Sequence, residues 1–293
     1  MTKLATPDAP LVWEAVTRAL TRRPALELRP TRELVRAINA GDASVPDAVA
    51  RANDEVAAAI DAIVERLERG GRLVYVGAGT SGRVAAADAA ECGPTFSTDR
   101  IAAVHTDVEA EEDDAELARL DVGDADVVLG VSASGRTPYT LGALARAREA
   151  GALTIGLACV QGSELARRAD LSIEVDVGVE FISGSTRMKA GTAQKLVLNT
   201  ISTVTMVKLG KTFGDLMVDV RPSNEKLRAR ARTAVALATT APEEQVNAAI
   251  AAADGDAKVA IVSLLAGVDA ETARSRLSAA RGVIREAVAD VVG

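Results

Sequence analysis

A single histidine and two cysteines are all that 293 residues offer of the side chains that most often hold transition metals or act as activated nucleophiles. No His/Cys ligand spacing is present, so a zinc site is not expected. His105 stands alone in a run that reads as a strand, which makes it a packed residue rather than the base of a serine hydrolase. Cys92 and Cys159 are too far apart in sequence to suggest a disulfide framework, and Cys92 has no histidine near it to activate it. Both read as reduced thiols of a cytoplasmic protein. Aromatic residues make up only 2 %, which leaves no platform for stacking bases. Positive charge is short too: 34 Lys+Arg against 41 Asp+Glu give a net charge of −7, with the basic residues scattered, so no nucleic-acid surface is expected. No uncharged apolar run reaches membrane-spanning length, and Met1 to Asp8 lacks the apolar core of a signal peptide.

What the chain does have is two short apolar runs, each followed by a glycine turn that carries hydroxyls and an arginine. The first stretch, Leu73 to Thr95, reads LVYVGAGTSGRVAAADAAECGPT. Leu73-Val74-Tyr75-Val76 lacks polar alternation and reads as a strand buried on both faces of a parallel sheet. Gly77, Gly79 and Gly82 allow a sharp turn and a close approach to a ligand, and Arg83 to Ala90 is good helix material. The spacing also fits the dinucleotide fingerprint, which alone is weak, and tight strand–helix packing is the competing explanation. Between the glycines lie Thr80 and Ser81, with Arg83 straight after. Hydroxyls and a guanidinium beside free N–H groups suit a terminal phosphate.

The second stretch repeats the design. Val127-Val128-Leu129-Gly130-Val131 is again an apolar strand, followed by Ser132-Ala133-Ser134-Gly135-Arg136-Thr137 and a helix from Pro138, a residue suited to a first helical turn. Two such units place hydroxyl-bearing turns at the carboxyl ends of parallel strands, where open α/β sheets bind ligands. A third polar turn, Ile182 to Thr192, leads into a helix running to about Lys208. Its Ser185, Thr186, Arg187 and Lys189 predict another anion-favouring helix start.

Around these turns the order is regular. Met1 to Pro30 is rich in Pro and Arg, with an amphipathic patch at Leu11 to Val16, and is expected to fold only against another part of the protein or a second subunit. Thr31 to Ala40 reads as a helix stopped by Gly41, and Pro46 to Glu68 as a longer helix from its apolar spacing. Cys92-Gly93-Pro94-Thr95 is expected to break the helix after the first turn. Further strands are predicted at Ile101–His105, Leu153–Ala158 and Leu171–Val175. The acidic run Asp107 to Asp114 reads, on composition, as a solvated loop. Beyond Pro222 the pattern is helical, with a small bundle from about Lys258 to Val292. Strands alternating with helices, then helices alone, predict an α/β protein with a doubly wound, mostly parallel sheet and a helical appendix.

With histidine and cysteine set aside, proton transfer falls to carboxylates. Glu91 stands out, because it ends the helix that the first turn begins, among alanines and Cys92. Negative charge is disfavoured at a helix C-terminus, and an apolar setting would raise a glutamate above its ordinary pKa of about 4.3, as an acid–base role requires.

These residues resemble a known family. Val76 to Thr95, the acidic run, Ser132 to Gly142, Gly184 to Lys195, Lys208 to Lys211, Leu216 to Val220 and Asn224 to Leu227 are similar to the N-acetylmuramic acid 6-phosphate etherases, bacterial enzymes on the sugar-isomerase (SIS) fold. The resemblance implies release of D-lactate from a 6-phosphorylated amino sugar, no metal or organic cofactor, a homodimer with sites completed across the interface, and a C-terminal bundle like ubiquitin-associated (UBA) domains. It divides the chain into an N-terminal arm at 1–45, an SIS α/β domain at 46–222 and a helical region at 223–293. Asp88-Ala89-Ala90-Glu91-Cys92 matches the motif of the family's proton donor, which points to Glu91. Glu109-Ala110-Glu111-Glu112-Asp113 matches the motif of the second catalytic glutamate, which points to Glu112. Ala110 departs from the family's glycine, and Glu111 adds a carboxylate that competes with Glu112 for the role. Gly79, Thr80, Ser81, Arg83, Ser132, Ser134, Gly135, Arg136, Thr137, Ser185, Thr186 and Lys189 are then the expected substrate contacts. A sugar-phosphate-binding regulator without chemistry and a sugar-phosphate isomerase share the fold. A dinucleotide oxidoreductase is disfavoured by the second serine turn.

Overall fold

The computed structural model describes residues 26–219 and 225–289. The amphipathic patch at Leu11 to Val16, Pro222 and the Asn224 of the last motif lie outside them. Two compact units divide the chain. One contains Leu73–Ala86 and Ala103–Asn199 with the segment that ends at Ala59, and the other contains Ile60–Arg72, Ala87–Ala102 and the chain from Thr200 onward.

Before the first strand come α1 (Thr31–Asp42), α2 (Val45–Ala50) and α3 (Asn53–Glu68). Helix α1 runs through Gly41, and the single helix expected over Pro46 to Glu68 is broken at Arg51-Ala52, where Ala52 N–H turns back to the Val49 carbonyl at 2.9 Å.

The first unit is built on a five-stranded sheet: β1 (Leu73–Ala78), β2 (Ile101–Thr106), β3 (Val127–Ser132), β4 (Leu153–Ala158) and β5 (Leu171–Glu174), in the order β2-β1-β3-β4-β5. β1 pairs with β3, β3 with β4 and β4 with β5, all in parallel. Every residue of β1 and β3 is buried, which is why their sequences show apolar runs without alternation. Helix α4 (Gly79–Phe96) follows β1, α5 (Pro138–Glu149) follows β3, a short α6 (Glu164–Arg168) follows β4, and α7 (Lys189–Lys208) comes after β5. Val74, Val76, Val128, Leu144 and Leu165 share one core between sheet and helices. Two details differ from the expectations above. The glycine turn after β1 is the first turn of α4, and that helix continues past Cys92-Gly93-Pro94-Thr95 to Phe96. Pro94 falls in the last turn, so its missing N–H removes one hydrogen bond near an end that was about to terminate. Ser97, with φ at +49°, then ends the helix in the left-handed region.

The second unit includes a two-stranded antiparallel ribbon, β6 (Thr212–Phe213) with β7 (Leu216–Met217), and five helices: α8 (Glu225–Thr239), α9 (Glu243–Ala252), α10 (Ala257–Ala266), α11 (Ala270–Ala279) and α12 (Ile284–Ala287). Their core joins Val235, Val246, Ile261, Val262, Leu277 and Ile284, so α8 and α9 share one apolar interior with the last three helices. Asp256 and Asp269 cap α10 and α11, accepting from Val259 N–H at 3.1 Å and Thr272 N–H at 2.7 Å. No helix of the described residues is long and apolar enough to cross a membrane.

Candidate active site

The strand order reverses between β1 and β3, so the turns that leave these two strands flank the crevice where open parallel sheets take their ligands. The glycines of the first turn divide into two jobs. A methyl group on Gly82 would lie 2.6 Å from the Gly77 carbonyl oxygen and 2.8 Å from His105 Cβ, so this pair serves close strand–helix packing. Gly79 is different. Its φ is +54°, and a methyl group there would lie 2.5 Å from Glu112 Oε1, so the carboxylate rests against the bare α-carbon that opens α4. Around it, Arg83 donates from Nη1 to Asp107 Oδ1 at 3.0 Å and from Nη2 to Thr80 Oγ1 at 3.1 Å. Ser81 Oγ accepts from Gln194 Nε2 at 3.0 Å. His105, the only histidine, is exposed rather than packed, with Nε2 3.6 Å from Asp107 Oδ2.

The acidic run is more ordered than its composition suggests. Glu109–Glu111 forms a single 3₁₀ turn, and the Glu112 carbonyl accepts from Tyr139 N–H at 3.1 Å, which ties the run to the start of α5. The two adjacent glutamates then face different partners. Glu111 Oε2 accepts a short hydrogen bond from the buried Thr106 hydroxyl, whose oxygen in turn accepts from Val108 N–H at 3.1 Å. Glu112 turns to Gly79. Burial raises the Glu112 pKa above the ordinary glutamate value, and the charges of Glu109 and Asp113 push it the same way, with Arg83 opposing.

In the second turn the hydroxyls form a chain. Ser132 Oγ lies 2.8 Å from Thr137 Oγ1 and 3.5 Å from Ser134 Oγ, and accepts from Gly135 N–H at 3.1 Å. Arg136 N–H donates to Ser134 Oγ at 3.3 Å, and its side chain is exposed.

The third turn corrects an expectation. The start of α7 is not an open anion site, because Glu180 fills it: Oε2 accepts from Lys189 N–H and Oε1 from Ala190 N–H, each at 2.9 Å. Lys189 is itself buried, and its ammonium donates to the Val177 carbonyl at 2.5 Å. Ser185 and Thr186 remain partly exposed in the loop before it. The start of α7 still reaches the first glycine turn, since a methyl group on Gly191 would lie 3.5 Å from Thr80 Cγ2. Neither Glu180 nor Gln194 belongs to a recognisable turn motif. Gln194 falls inside the Gly184 to Lys195 stretch that resembles the family, but no role attaches to it there, and its own signal is that of a polar residue on the apolar face of α7, between Ala193 and Val197.

In the second unit, Glu91 is exposed, and Ala87, Ala90 and Pro94 are exposed on the same side of α4. The expected apolar setting around this carboxylate is therefore not supplied by the chain itself. Its neighbour Asp88 is buried and accepts from Ser202 Oγ at 3.2 Å, while Cys92 Sγ donates to the Asp88 carbonyl at 3.3 Å. Burial, then the Asp88 charge, pushes the Cys92 thiol up to about 12, and burial with Glu180 and Asp176 does the same to Cys159, also to about 12. Neither thiol is an available nucleophile. Among the described residues no three His, Cys, Asp or Glu side chains gather as a metal-ligand set.

A family model described as the SIS domain matches residues 66–203. A protein of Rubrobacter xylanophilus named N-acetylmuramic acid 6-phosphate etherase is 57% identical over 275 residues, covering 89% of this chain and 91% of that one. A protein of the same name from Streptomyces avermitilis is 54% identical over 275 residues, covering 89% of this chain and 88% of that one. Among solved structures, a phosphoheptose isomerase from Neisseria gonorrhoeae is similar at a TM-score of 0.48 and 19% identity, covering 60% of this chain and 98% of that one. Identity above one half, across most of both chains in the two relatives, shows that this chain belongs to the N-acetylmuramic acid 6-phosphate etherase family.

Proposed function

We propose that the chain is an N-acetylmuramic acid 6-phosphate etherase, a carbon–oxygen lyase that releases D-lactate and leaves N-acetylglucosamine 6-phosphate. The first and second turns hold the 6-phosphate through Thr80, Ser81, Arg83, Ser132, Ser134, Arg136 and Thr137. With the sugar ring open, the C1 aldehyde acidifies the C2 proton. Glu112 removes that proton, and Glu91 protonates the lactate oxygen as its bond to C3 breaks. Water then adds to C3 of the unsaturated aldehyde, with Glu91 now taking the water's proton and Glu112 returning one to C2. No cofactor enters any step.

The observation that carries the chemistry is the Glu112 carboxylate against Gly79, beside the hydroxyl turns, with burial and two neighbouring acids making it more basic than an ordinary glutamate. Glu91 has to carry the proton that the departing lactate takes, and it stands exposed on α4. Its exposure, with that of Ala87, Ala90 and Pro94, supports a homodimer in which a second copy covers this face. The working compartment is the cytoplasm, in keeping with two buried, unpaired thiols. Purified protein incubated with N-acetylmuramic acid 6-phosphate should release one D-lactate per sugar consumed. Release of no lactate, or isomerisation of a sugar phosphate in its place, would overturn the reading.

A further inference from the structure

We propose that Gln194 is a positioning residue that fixes the direction of the Ser81 hydroxyl, so that its proton is presented to the substrate phosphate. The inference rests on the reading of the first turn as part of the phosphate site. Gln194 is 1 % exposed and Ser81 7 %, and the 3.0 Å bond from Nε2 to Oγ joins α7 to the first turn of α4.

Three features argue for a directing role over simple packing. First, this is the only hydrogen bond of the Gln194 side chain among the described residues, since its Oε1 has no partner. A carboxamide kept in a wholly buried position for one bond is there for that bond. Second, the position lies on the apolar face of α7, between Ala190, Ala193, Val197 and Leu198, where an aliphatic side chain would pack without an unmet polar atom. Third, the Ser81 oxygen accepts from Gln194 and donates to no acceptor among the described residues. A serine hydroxyl has one proton and two acceptor positions. With Nε2–H occupying an acceptor position, the proton is left to point elsewhere. An anion at the start of α4 completes the chain Nε2–H to Oγ–H to phosphate oxygen, in which each bond polarises the next. Were the carboxamide turned over, its oxygen would draw the same proton inward and the phosphate would lose a donor.

Three variants test this. Gln194→Met keeps the volume and removes the donor, Gln194→Glu offers only acceptors when ionised, and Ser81→Ala removes the relayed proton. The expected result for Gln194→Met is a KM for N-acetylmuramic acid 6-phosphate raised about tenfold, the scale of one hydrogen bond to a charged group, with a much smaller change in kcat. Gln194→Glu should raise KM further. In the Ser81→Ala background, Gln194→Met should add no further change, because the bond it acts through is already gone. A KM unchanged in both Gln194 variants, a loss confined to kcat, or an equal loss with and without Ser81 would overturn the proposal. Calorimetric titration with inorganic phosphate supplies a readout independent of turnover, on the wild type and on whichever variants keep the wild-type melting temperature. If the wild type binds phosphate and the Gln194 variants bind it equally well, Gln194 has no such role. Failure of the wild type to release lactate, with phosphate binding still dependent on Gln194, would instead point to an error in the catalytic reading alone.

Discussion

The Glu112 carboxylate lies against the α-carbon of Gly79, so closely that a methyl group there would come within 2.5 Å of Oε1. Glycine at this position meets two requirements at once: a left-handed backbone with φ at +54°, and room for a carboxylate beside the first N–H groups of α4. Gly79→Ala should therefore do more than strain the turn. The backbone term alone costs roughly 1–2 kcal/mol, and the displaced carboxylate should lower lactate release by about 10²-fold or more. Chemical denaturation and turnover measured together separate the two effects. A variant that loses stability but keeps activity would show that Glu112 does not need this seat.

The raised pKa of Glu112 also has a consequence for stability. The folded protein binds the Glu112 proton more tightly than the unfolded chain does, because burial, then Glu109 and Asp113, disfavour the charged form. The favourable contribution is present below the unfolded value of about 4.3 and is lost as pH rises through the folded pKa. Glu112→Gln should accordingly be more stable than the wild type at pH 8, with the difference shrinking as pH falls toward 4. Urea midpoints at several pH values would check this, and a variant less stable at pH 8 would count against the sign.

The same charges bear on the pH dependence expected of Glu112 as the proposed base. A base must be ionised, so activity should fall on the acid side as pH drops through the raised Glu112 pKa. Glu109 is the largest of the charges raising it, after burial. Glu109→Gln should move the acid limb of kcat/KM to lower pH and leave the maximum little changed. A limb that stays in place would mean that a different group controls it.

Much of this architecture is legible in the chain itself. Val127 to Val131 is apolar throughout and Leu153 to Ala158 is so but for Thr154, because sheet and helices cover both faces, so residue type alone marks where these strands lie, although β3 runs on to Ser132. Features that depend on contacts between distant residues leave no such mark. Glu180 caps α7 from outside the helix, and Gln194 meets Ser81 across more than a hundred residues of chain. Pro94 has the character of a helix breaker, yet its place in the last turn makes it tolerable. Glu111 and Glu112 are neighbours with the same chemistry, and only the folded 3₁₀ turn sends one to Thr106 and the other to Gly79.

Both thiols should be silent in the native protein. With burial and nearby carboxylates pushing Cys92 and Cys159 up to about 12, almost no thiolate exists at pH 8. An aromatic disulfide reagent should label neither until denaturant is added, and then label two per chain. Rapid labelling of the folded protein at pH 8 would contradict the burial that raises them.

The two glutamates proposed as catalytic can be told apart by isotope exchange, because the tasks proposed for them differ in order. Removing the C2 proton needs only a base and the adjacent aldehyde, so it can occur without lactate leaving. Expelling lactate needs a proton on an alkoxide leaving group, and that is the task assigned to Glu91. Glu91→Gln should therefore still exchange the C2 hydrogen with solvent deuterium while releasing lactate about 10²–10⁴-fold more slowly. Glu112→Gln should lose exchange and release together by a similar factor. Glu111 serves as the control. Its carboxylate is held by the Thr106 hydroxyl, and Glu111→Gln keeps an oxygen that can accept the same bond. It should exchange and release nearly as the wild type does. Should Glu111→Gln abolish exchange while Glu112→Gln retains it, the base is the neighbour that Thr106 holds, and the carboxylate on Gly79 is a spectator. Should Glu91→Gln release lactate at the wild-type rate, the leaving group takes its proton from elsewhere and the elimination as drawn is wrong.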